Sequence, residues 1–360
     1  MTSIEPTFVT TAPVLLAEDL SVTFHVRRGV MGKVPLHAVS SIDFEIDKSE
    51  TLGLVGESGS GKSTTGRVVL RLLEPSGGHV YLNGDEITDL SRRKLRPYRR
   101  RMQMIFQDPY SSLDPSVEVW RNVGEPLEVH RGLRGRALAD QVAELFDHVG
   151  LARHHMHRYP YEFSGGQRQR LAIARAIALN PDLIVCDEAV SALDVSTRNQ
   201  ITNLLEDIQD EFGVSYLFIA HDLGVVRHMS HRVAVMYLGR IVEDGPTARL
   251  YDAPAHPYTE ALLSAVPIAD PLIQRTRERI VLPGDVPDAT NPPPGCPFNT
   301  RCAYVMDICR EVMPEPTPVA GGGMVRCHLH TTGPTLAGGS VLDVERPRTK
   351  ATKAVSHALR

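Results

Sequence analysis

The segment from Gly56 to Thr64 constrains this chain more than any other part of it. It reads GESGSGKST and fits the phosphate-binding loop pattern G-x-x-x-x-G-K-[ST]. An apolar strand-like run, Thr51 to Val55, precedes it, and a helical pattern from Thr64 to Leu73 follows it, which is the context that such a loop needs. Its glycines let backbone N–H groups turn toward phosphate oxygens, and the helix adds its positive N-terminal end. The predicted nucleotide-binding residues are Gly56, Ser58, Gly59, Gly61, Lys62, Ser63 and Thr64.

A second segment, Leu183 to Glu188, supplies acidic groups. It reads LIVCDE, an apolar strand that ends in two adjacent carboxylates. Neighbouring residues on a strand point to opposite sides, so the two acids should have different roles. We expect Asp187 and the Ser63 hydroxyl to bind Mg²⁺, Lys62 to reach the β- and γ-phosphates, and Glu188 to be the base that orients the attacking water. Without the phosphate loop, a solvated acidic turn would explain this pair equally well.

The third segment, Ser164 to Pro181, is a predicted helix with an unusual start. Ser164 is a good N-cap, and Gln167 stands three residues on, in capping-box spacing. Gly165 and Gly166 leave the first N–H groups of this helix bare, and a bare, polarised helix start binds anions. The pattern therefore indicates a second phosphate site, with a flexible Gly-Gly hinge as the alternative.

Composition limits the remaining function classes. The 360 residues have 42% hydrophobic content and a net charge of −4, which argue for a globular protein without a nucleic-acid partner. The basic run between Arg92 and Arg101 is interpreted as a solvated helix face. No apolar stretch approaches the roughly 18 to 20 residues that span a bilayer, and no secretory signal is recognisable at the start. We expect a cytosolic chain unless a partner holds it elsewhere.

The order of strand-like and helical runs predicts the fold class. Their alternation argues for an α/β architecture with a largely parallel central sheet. From about 108 to 180 the pattern is mostly helical, which suggests an inserted subdomain, and prolines mark a change of character after about residue 253. The last thirty residues, from Thr331, are interpreted as a disordered tail. The predicted strands are Leu20–Val26, Ile42–Ile46, Thr51–Val55, Met102–Phe106, Leu183–Cys186, Tyr216–Ala220 and Arg232–Tyr237.

These elements, in this order, resemble the ATP-binding subunits of ABC transporters, and the resemblance covers residues 14–330. FSGGQ at Phe163 to Gln167 is similar to the family signature, although Phe stands where Leu is usual. Ala189 departs from the Pro that usually follows the catalytic glutamate. The further residues that match family motifs are Gln107 of the Q-loop, which implies a role in catalysis and at Mg²⁺, Asp194 of the D-loop, the switch histidine His221, and Phe24 at the adenine-stacking position.

The resemblance implies a P-loop NTPase core at 14–253 with a helical subdomain at about 108–180, a C-terminal extension at 254–330 and a tail at 331–360. It implies an ATPase that uses Mg²⁺ and works as a head-to-tail dimer, in which Ser164, Gly165, Gly166 and Gln167 of one subunit close over ATP held by Lys62 of the other. Its implied partners are two membrane permeases, a sister ATP-binding subunit in preference to a second copy, and an extracytoplasmic solute-binding protein reached through the permeases. The implied location is the cytoplasmic face of the cell membrane, as a peripheral subunit.

Two segments narrow the class within the family. QDPYSSLDP at Gln107–Pro115 and HPYTEALLSAVP at His256–Pro267 resemble the peptide/nickel importer branch, and its second ATPase most of all. The resemblance implies import of oligopeptides or dipeptides, with nickel, glutathione or another small solute as alternatives. A soluble ABC ATPase acting on DNA or ribosomes is the competing class. It is disfavoured because the long coiled-coil or zinc insertions and paired ATPase units usual in that class are missing from the sequence.

Four cysteines crowd into the C-terminal region. The spacing C-x5-C-x6-C-x17-C lacks the C-x2-C pairs of common zinc modules. In a cytosolic protein such crowding favours metal over disulfides, while unligated thiols stay an equal alternative on the residues alone. The family resemblance favours a 4Fe–4S cluster, with zinc, assisted by His328 or His330, as another possibility. The four are Cys296, Cys302, Cys309 and Cys327; Cys186 is interpreted as a buried strand residue.

Overall fold

The computed structural model describes residues 12–28, 32–267, 279–333 and 336–344. Within these ranges the strands, in chain order, are β1 (Leu15–Arg28), β2 (Gly32–Ile46), β3 (Thr51–Val55), β4 (Gly77–Leu82), β5 (Asp85–Glu86), β6 (Met102–Ile105), β7 (Leu183–Asp187), β8 (Ser215–Ile219), β9 (Arg232–Tyr237), β10 (Arg240–Pro246), β11 (Thr317–Pro318) and β12 (Met324–Val325). The helices are α1 (Lys62–Val69), α2 (Arg92–Leu95), α3 (Val119–Arg131), α4 (Gly135–His148), α5 (Gly165–Ile177), α6 (Val195–Phe212), α7 (Leu223–Met229), α8 (Thr247–Asp252) and α9 (Pro257–Ser264).

The central sheet has the strand order β11-β12-β10-β9-β3-β8-β7-β6. The five strands from β9 to the edge strand β6 are parallel, which confirms the predicted α/β class. Parallel strands need crossovers, and their helices cover both faces, so β3, β7 and β8 are buried along their whole length. The carboxyl ends of β3 and β7 therefore meet at one edge of the sheet, where Gly56 and Glu188 follow them.

Alternate residues of these strands belong to two different hydrophobic cores. In β7, Leu183 and Val185 pack into one core, with residues of α1 and of β1. Ile184 and Cys186 pack into the other, with residues of α3, α4, α5 and α6. This follows from the two-residue repeat of a strand, and it confirms Cys186 as a buried strand residue.

A separate antiparallel sheet, with the order β2-β1-β4-β5, was not predicted from the sequence. Two glycines, Gly77 and Gly78, open β4 of this sheet. Gly78 has φ +81° because it passes close to the backbone of β1: a Cβ at this position would lie 2.3 Å from the Asp19 carbonyl oxygen. The first helix is also shorter than predicted, since it ends at Val69.

The helical region lies where the sequence placed it, with α3, α4 and α5 packed around Phe146 and Leu171. The C-terminal extension is joined to the core through the sheet, because β12 pairs with β10 in the register Glu243 to Val325. Among the described residues, no helix combines the length and the apolar character needed to cross a membrane.

The expected disordered tail is contradicted for residues 336–344. Val341 is fully buried, and its N–H donates to the Pro254 carbonyl at 2.9 Å. The Ser340 hydroxyl donates to the same oxygen at 3.0 Å. The sequence offers little warning, because a single buried valine among Gly and Thr residues has no periodic pattern. The rest of the predicted tail, residues 334–335 and 345–360, lies outside the described residues.

Candidate active site

The phosphate loop runs from the end of β3 into α1, as predicted. Gly56, Gly59 and Gly61 have φ values of +152°, +80° and +106°, a region that L side chains rarely adopt. A Cβ on Gly56 would lie 2.1 Å from the Met236 carbonyl oxygen, and one on Gly61 would lie 2.2 Å from that of Ala38. Both positions therefore need glycine for space as well as for conformation.

Lys62 lies under this loop with only 4% of its surface exposed. Its ammonium donates to the carbonyl oxygens of Gly56 at 2.8 Å and Glu57 at 2.9 Å, and to the Ser60 hydroxyl at 3.3 Å. Burial lowers the pKa of Lys62 to about 8, although the nearby carboxylates of Glu188, Asp187 and Glu57 oppose that shift. The hydrogen bonds from the phosphate loop thus fix the position of the Lys62 ammonium.

Two of the three predicted magnesium ligands, Ser63 and Asp187, lie together, whereas the third, Gln107, bonds to Glu188. The Ser63 hydroxyl donates to Asp187 Oδ1 at 2.7 Å, although the two residues are 124 positions apart. Asp187 is 3% exposed, and the Arg67 guanidinium lies 3.8 Å from its second oxygen. A hydroxyl beside a carboxylate is an oxygen donor set of the kind that Mg²⁺ takes, so the residues present fit the ion.

Glu188 joins the two other predicted catalytic residues. Gln107 Nε2 donates to Glu188 Oε2 at 2.6 Å, and His221 Nε2 contacts Glu188 Oε1 as an ion pair when the ring is protonated. The Glu188 backbone has φ +53°, and its N–H donates to the Ile219 carbonyl at 2.9 Å. We call the set Lys62, Ser63, Gln107, Asp187, Glu188 and His221 the phosphate-loop cluster.

The predicted second anion site forms a separate group, the signature cluster, made of Ser164–Gln167 and Asp194. Ser164 caps α5 in a complete capping box, accepting from Gln167 N–H at 3.3 Å while its own N–H donates to Gln167 Oε1 at 3.0 Å. Asp194 caps α6 by accepting from Thr197 N–H at 3.0 Å, and these bonds lower the pKa of its carboxyl. Gly166 faces Thr197, so the starts of α5 and α6 are adjacent.

The other predicted residues have these positions. Phe24 lies on β1 opposite Leu36 and is 37% exposed, so its ring is open to a planar ligand. Ser58 and Gly59 are exposed in the phosphate loop, and Thr64 is half-buried in α1. Phe163, the departure from the family signature, is 3% exposed and packs edge-on against His155 at 5.9 Å. Ala189 is buried as well.

Sequence reasoning missed three residues at the phosphate loop. Glu57 N–H donates to the Tyr258 hydroxyl at 2.8 Å. Arg301 donates to both carboxylate oxygens of Glu57, at 2.6 and 3.1 Å. Tyr258 stands in the HPY motif, which was noted only as a family marker, and nothing in the sequence around Arg301 points to the loop.

The C-terminal cysteines lie near one another without forming disulfides. Burial raises the pKa of Cys296 to about 11, that of Cys302 to about 12, and that of Cys327 further still, and neighbouring cysteines contribute to each rise. Three ligands arranged around a single metal ion are not found in the described part of the chain. His330 uses both ring nitrogens, toward the Ala255 carbonyl at 2.8 Å and the Gly338 N–H at 3.2 Å.

The chain is similar to known proteins along most of its length. The ABC transporter family matches residues 39–191, and the oligopeptide/dipeptide transporter C-terminal region matches residues 242–309. The oligopeptide transport ATP-binding protein AppF of Bacillus subtilis is 48% identical over 88% of this chain and 98% of its own length. The glutathione import ATP-binding protein GsiA of Escherichia coli is 54% identical over 79% of this chain, which spans 46% of that protein.

Among solved structures, a dimeric ATP-binding cassette in a post-hydrolysis state with ADP and Pi is 29% identical, with a TM-score of 0.59 over 65% of this chain and 98% of the cassette. The family match at 242–309 includes residues 254–309 of the extension. Membership implies ATP and Mg²⁺ as nucleotide and metal. The chain belongs to the ATP-binding subunits of ABC transporters, in the branch that carries the oligopeptide/dipeptide transporter C-terminal region.

Proposed function

We propose that this chain is the ATP-hydrolysing, energy-coupling subunit of a binding-protein-dependent importer of oligopeptides or dipeptides. The observation that carries the proposal is the placement of Glu188, whose two oxygens meet Gln107 and His221 while the adjacent Asp187 meets Ser63 of the phosphate loop. A carboxylate so oriented beside a phosphate loop is suited to act on water next to a γ-phosphate.

In the proposed mechanism, Lys62 and the loop N–H groups bind the β- and γ-phosphates, and Phe24 stacks on the adenine. Ser63, Asp187 and Gln107 would hold Mg²⁺, which supplies charge neutralisation between the phosphates. Glu188 accepts a hydrogen bond from the attacking water and takes its proton as the water oxygen bonds to the γ-phosphorus. The bond from that phosphorus to the β,γ-bridging oxygen breaks in the same transfer, and ADP leaves with its electron pair. His221 and Gln107 keep the carboxylate in place during this transfer.

The signature cluster would complete the site of a second subunit. Ser164 and the N-terminal N–H groups of α5 would close over the γ-phosphate bound by the partner's phosphate loop, and Asp194 would lie at the same interface. Support comes from the two candidate anion sites in this chain, since one ATP has a single γ-phosphate. The related cassette that was solved with ADP and Pi is also a dimer. We propose that the second subunit is a non-identical sister.

The membrane partners are proposed to be two permease subunits, with the chain attached peripherally on the cytoplasmic side. A cleft of about 310 Å³ opens between the core and the helical region, lined among others by Phe106, Glu125 and Arg175. One of its lining residues, Phe106, directly precedes Gln107 in the chain. An element of a permease docked in this cleft would therefore lie close to the catalytic residues and respond to their state. An extracytoplasmic binding protein would deliver the peptide to the permeases.

An iron–sulfur cluster in the extension is proposed as a structural element. Burial raises the pKa of Cys296, Cys302 and Cys327, so these thiols stay neutral unless a cation stabilises their thiolates. Together with Cys309 they would make Cys₄, the usual donor set of such clusters. A zinc site that uses His330 is disfavoured because both of its ring nitrogens already have partners. Protein purified without oxygen should be brown and should contain about four irons per chain. Colourless protein without iron would contradict this part of the proposal.

Uptake of a labelled tripeptide tests the main proposal. Cells that lack the gene should lose uptake, and the wild-type gene should restore it, whereas Lys62→Ala should not. A matched surface variant, Lys94→Ala in α2, should restore uptake fully, because its side chain is exposed and lies outside the cluster. Normal tripeptide uptake in the deletion strain would contradict the peptide assignment, and restored uptake with Lys62→Ala would contradict the ATPase role.

A further inference from the structure

The C-terminal extension contacts the phosphate loop at Glu57. Arg301 forms a two-pronged ion pair with its carboxylate, with N–O distances of 2.6 and 3.1 Å. The Tyr258 hydroxyl accepts its backbone N–H at 2.8 Å. The two partners are 244 and 201 residues away along the chain. Side chain and backbone of one loop residue are thus both held by the extension.

The same residue holds the phosphate-binding lysine. The Glu57 carbonyl oxygen accepts from Lys62 Nζ at 2.9 Å, next to the Gly56 carbonyl at 2.8 Å. Glu57 therefore links Arg301 to Lys62, because its carboxylate accepts from Arg301 and its carbonyl oxygen accepts from Lys62. A shift of Glu57 would move one of the two carbonyls that aim the ammonium.

The two residues that bind Glu57, Arg301 and Tyr258, are themselves buried, which restricts their movement. The Arg301 side chain is 7% exposed, and the Glu57 side chain is 27% exposed. Tyr258 packs against Tyr237 and Phe298, with ring centroids 4.7 and 5.3 Å away. Burying an unpaired guanidinium costs desolvation free energy, so the ion pair between Arg301 and Glu57 is favoured over its broken form. The hydrogen bond with Glu57 accordingly raises the pKa of Arg301 further above its ordinary range.

The segment that carries Arg301 is tied to the cysteine region. Asn299 Nδ2 donates to the carbonyl oxygens of Pro294 at 2.7 Å and Cys309 at 3.2 Å. Cys296 N–H donates to the Cys309 carbonyl at 2.8 Å, and the Arg301 N–H donates to Phe298 at 3.0 Å. The position of the Arg301 backbone therefore depends on the fold of the extension.

We propose that Arg301 and Tyr258 are positioning residues of the ATP site, which fix Glu57 and through it the ammonium of Lys62. The proposal rests on the proposed ATPase function and adds that the extension sets nucleotide affinity. Lys62 contacts phosphate before and during the transfer, so the loss of this positioning should raise KM and leave kcat nearly unchanged. A merely structural role would lower the fraction of active protein, and hence the apparent kcat, without raising KM.

The experiment compares Arg301→Gln, Glu57→Gln and the double variant in the full chain. Binding of N-methylanthraniloyl-ATP is followed by fluorescence, and hydrolysis is measured at saturating ATP. Each single variant should raise the nucleotide Kd about tenfold, with kcat within about twofold of wild type. Because both act through one contact, the double variant should be no weaker than the weaker single variant. An unchanged Kd in Arg301→Gln, or losses that multiply in the double variant, would overturn the proposal.

Tyr258→Phe decides the question if Arg301→Gln does not fold, because it removes only the hydroxyl that accepts the Glu57 N–H. Its matched control is Tyr251→Phe, which removes a half-buried tyrosine hydroxyl bonded to the Leu223 carbonyl, away from the loop. Tyr258→Phe should raise the Kd about threefold over this control, and equal values would overturn the proposal. Wild-type binding that does not require Lys62 would instead contradict the proposed ATPase function, so the two failures are distinguishable.

Discussion

The phosphate-loop cluster and the signature cluster differ in how far along the chain their partners lie. Ser63 and Asp187 are 124 residues apart, and Gln107 and Glu188 are 81 apart. In the signature cluster, Ser164 bonds Gln167 and Asp194 bonds Thr197, both three residues away. The contacts of the first cluster therefore form only when the sheet has folded. The caps of the second cluster are local, so they form within the starts of α5 and α6 themselves.

This difference predicts that substitutions in the two clusters have different main effects, on ATP hydrolysis in one and on stability in the other. Changes in the phosphate-loop cluster should alter hydrolysis or the seating of the loop, because its residues meet across the sheet. Changes in the signature cluster should alter helix starts by amounts typical of caps and close packing. Four sets of variants test this difference, and they are given from the largest expected effect to the smallest.

Glu188→Gln should lower ATP hydrolysis by about 10²- to 10⁴-fold, because the base is removed while Lys62 and Asp187 remain. Nucleotide affinity should stay near that of wild type in the same preparation. Glu211→Gln is the control, since that carboxylate is exposed at the end of α6 and lies outside the phosphate-loop cluster, beside His148. Hydrolysis at a near-normal rate by Glu188→Gln would show that the base lies elsewhere.

Gly56→Ala should destabilise the protein by about 3 kcal/mol, since its Cβ would lie 2.1 Å from the Met236 carbonyl in a strained backbone region. Gly59→Ala has open space around it, so only its φ of +80° costs energy, about 1 kcal/mol. Denaturant unfolding of both variants measures the difference. Equal losses would mean that the close approach at Gly56 carries no energy.

Gly166→Ala should cost about 2 kcal/mol, because the new Cβ would lie 2.4 Å from Thr197 Cγ2 and would push the starts of α5 and α6 apart. Gly165→Ala, whose nearest neighbour is the Leu193 side chain at 3.9 Å, should stay within about 0.5 kcal/mol of wild type. The comparison uses the same unfolding assay. If Gly165→Ala were the more harmful variant, the two helix starts would not be packed as described.

Asp194→Ala should cost about 1 kcal/mol through the loss of the cap on α6, and Asp194→Asn only a few tenths, because Asn caps nearly as well. Thermal melting of the two variants checks the order. The Asn variant isolates the charge of Asp194 from its capping role. A hydrolysis defect shared by both variants, although Asn keeps the cap, would assign a catalytic role to the charge of Asp194.

Sequence patterns predicted the parts whose information is local. The bounds of β3 and β9 and the capping box of Ser164 agree with the prediction, because apolar runs and short hydrogen-bonded motifs depend on neighbouring residues. The family motifs also placed Gln107 and His221, which the fold brings to Glu188. Their assignment came from the resemblance, since a lone Gln or His has no periodic signal.

The parts that escaped prediction depend on contacts between distant segments. The strand β4 begins with two glycines, which normally end elements, and it is a strand because β1 lies beside it. The contact between Arg301 and Glu57 joins residues 244 positions apart, and one Arg among many cannot be singled out from one sequence. The packing of Val341 is equally non-local.

That packing of Val341 has a consequence for the timing of folding. The small core of the extension contains Ala255, Tyr304, Val325 and Val341, so its first and last members are 86 residues apart. The ribosome makes a chain from its N-terminus at roughly 5 to 20 residues per second, so this core would stay open for several seconds after Ala255 is made. We expect nascent chains arrested before residue 340 to be cut by protease in the extension, while their ATPase part is already protected. Equal protection of both parts in such chains would contradict this order of assembly.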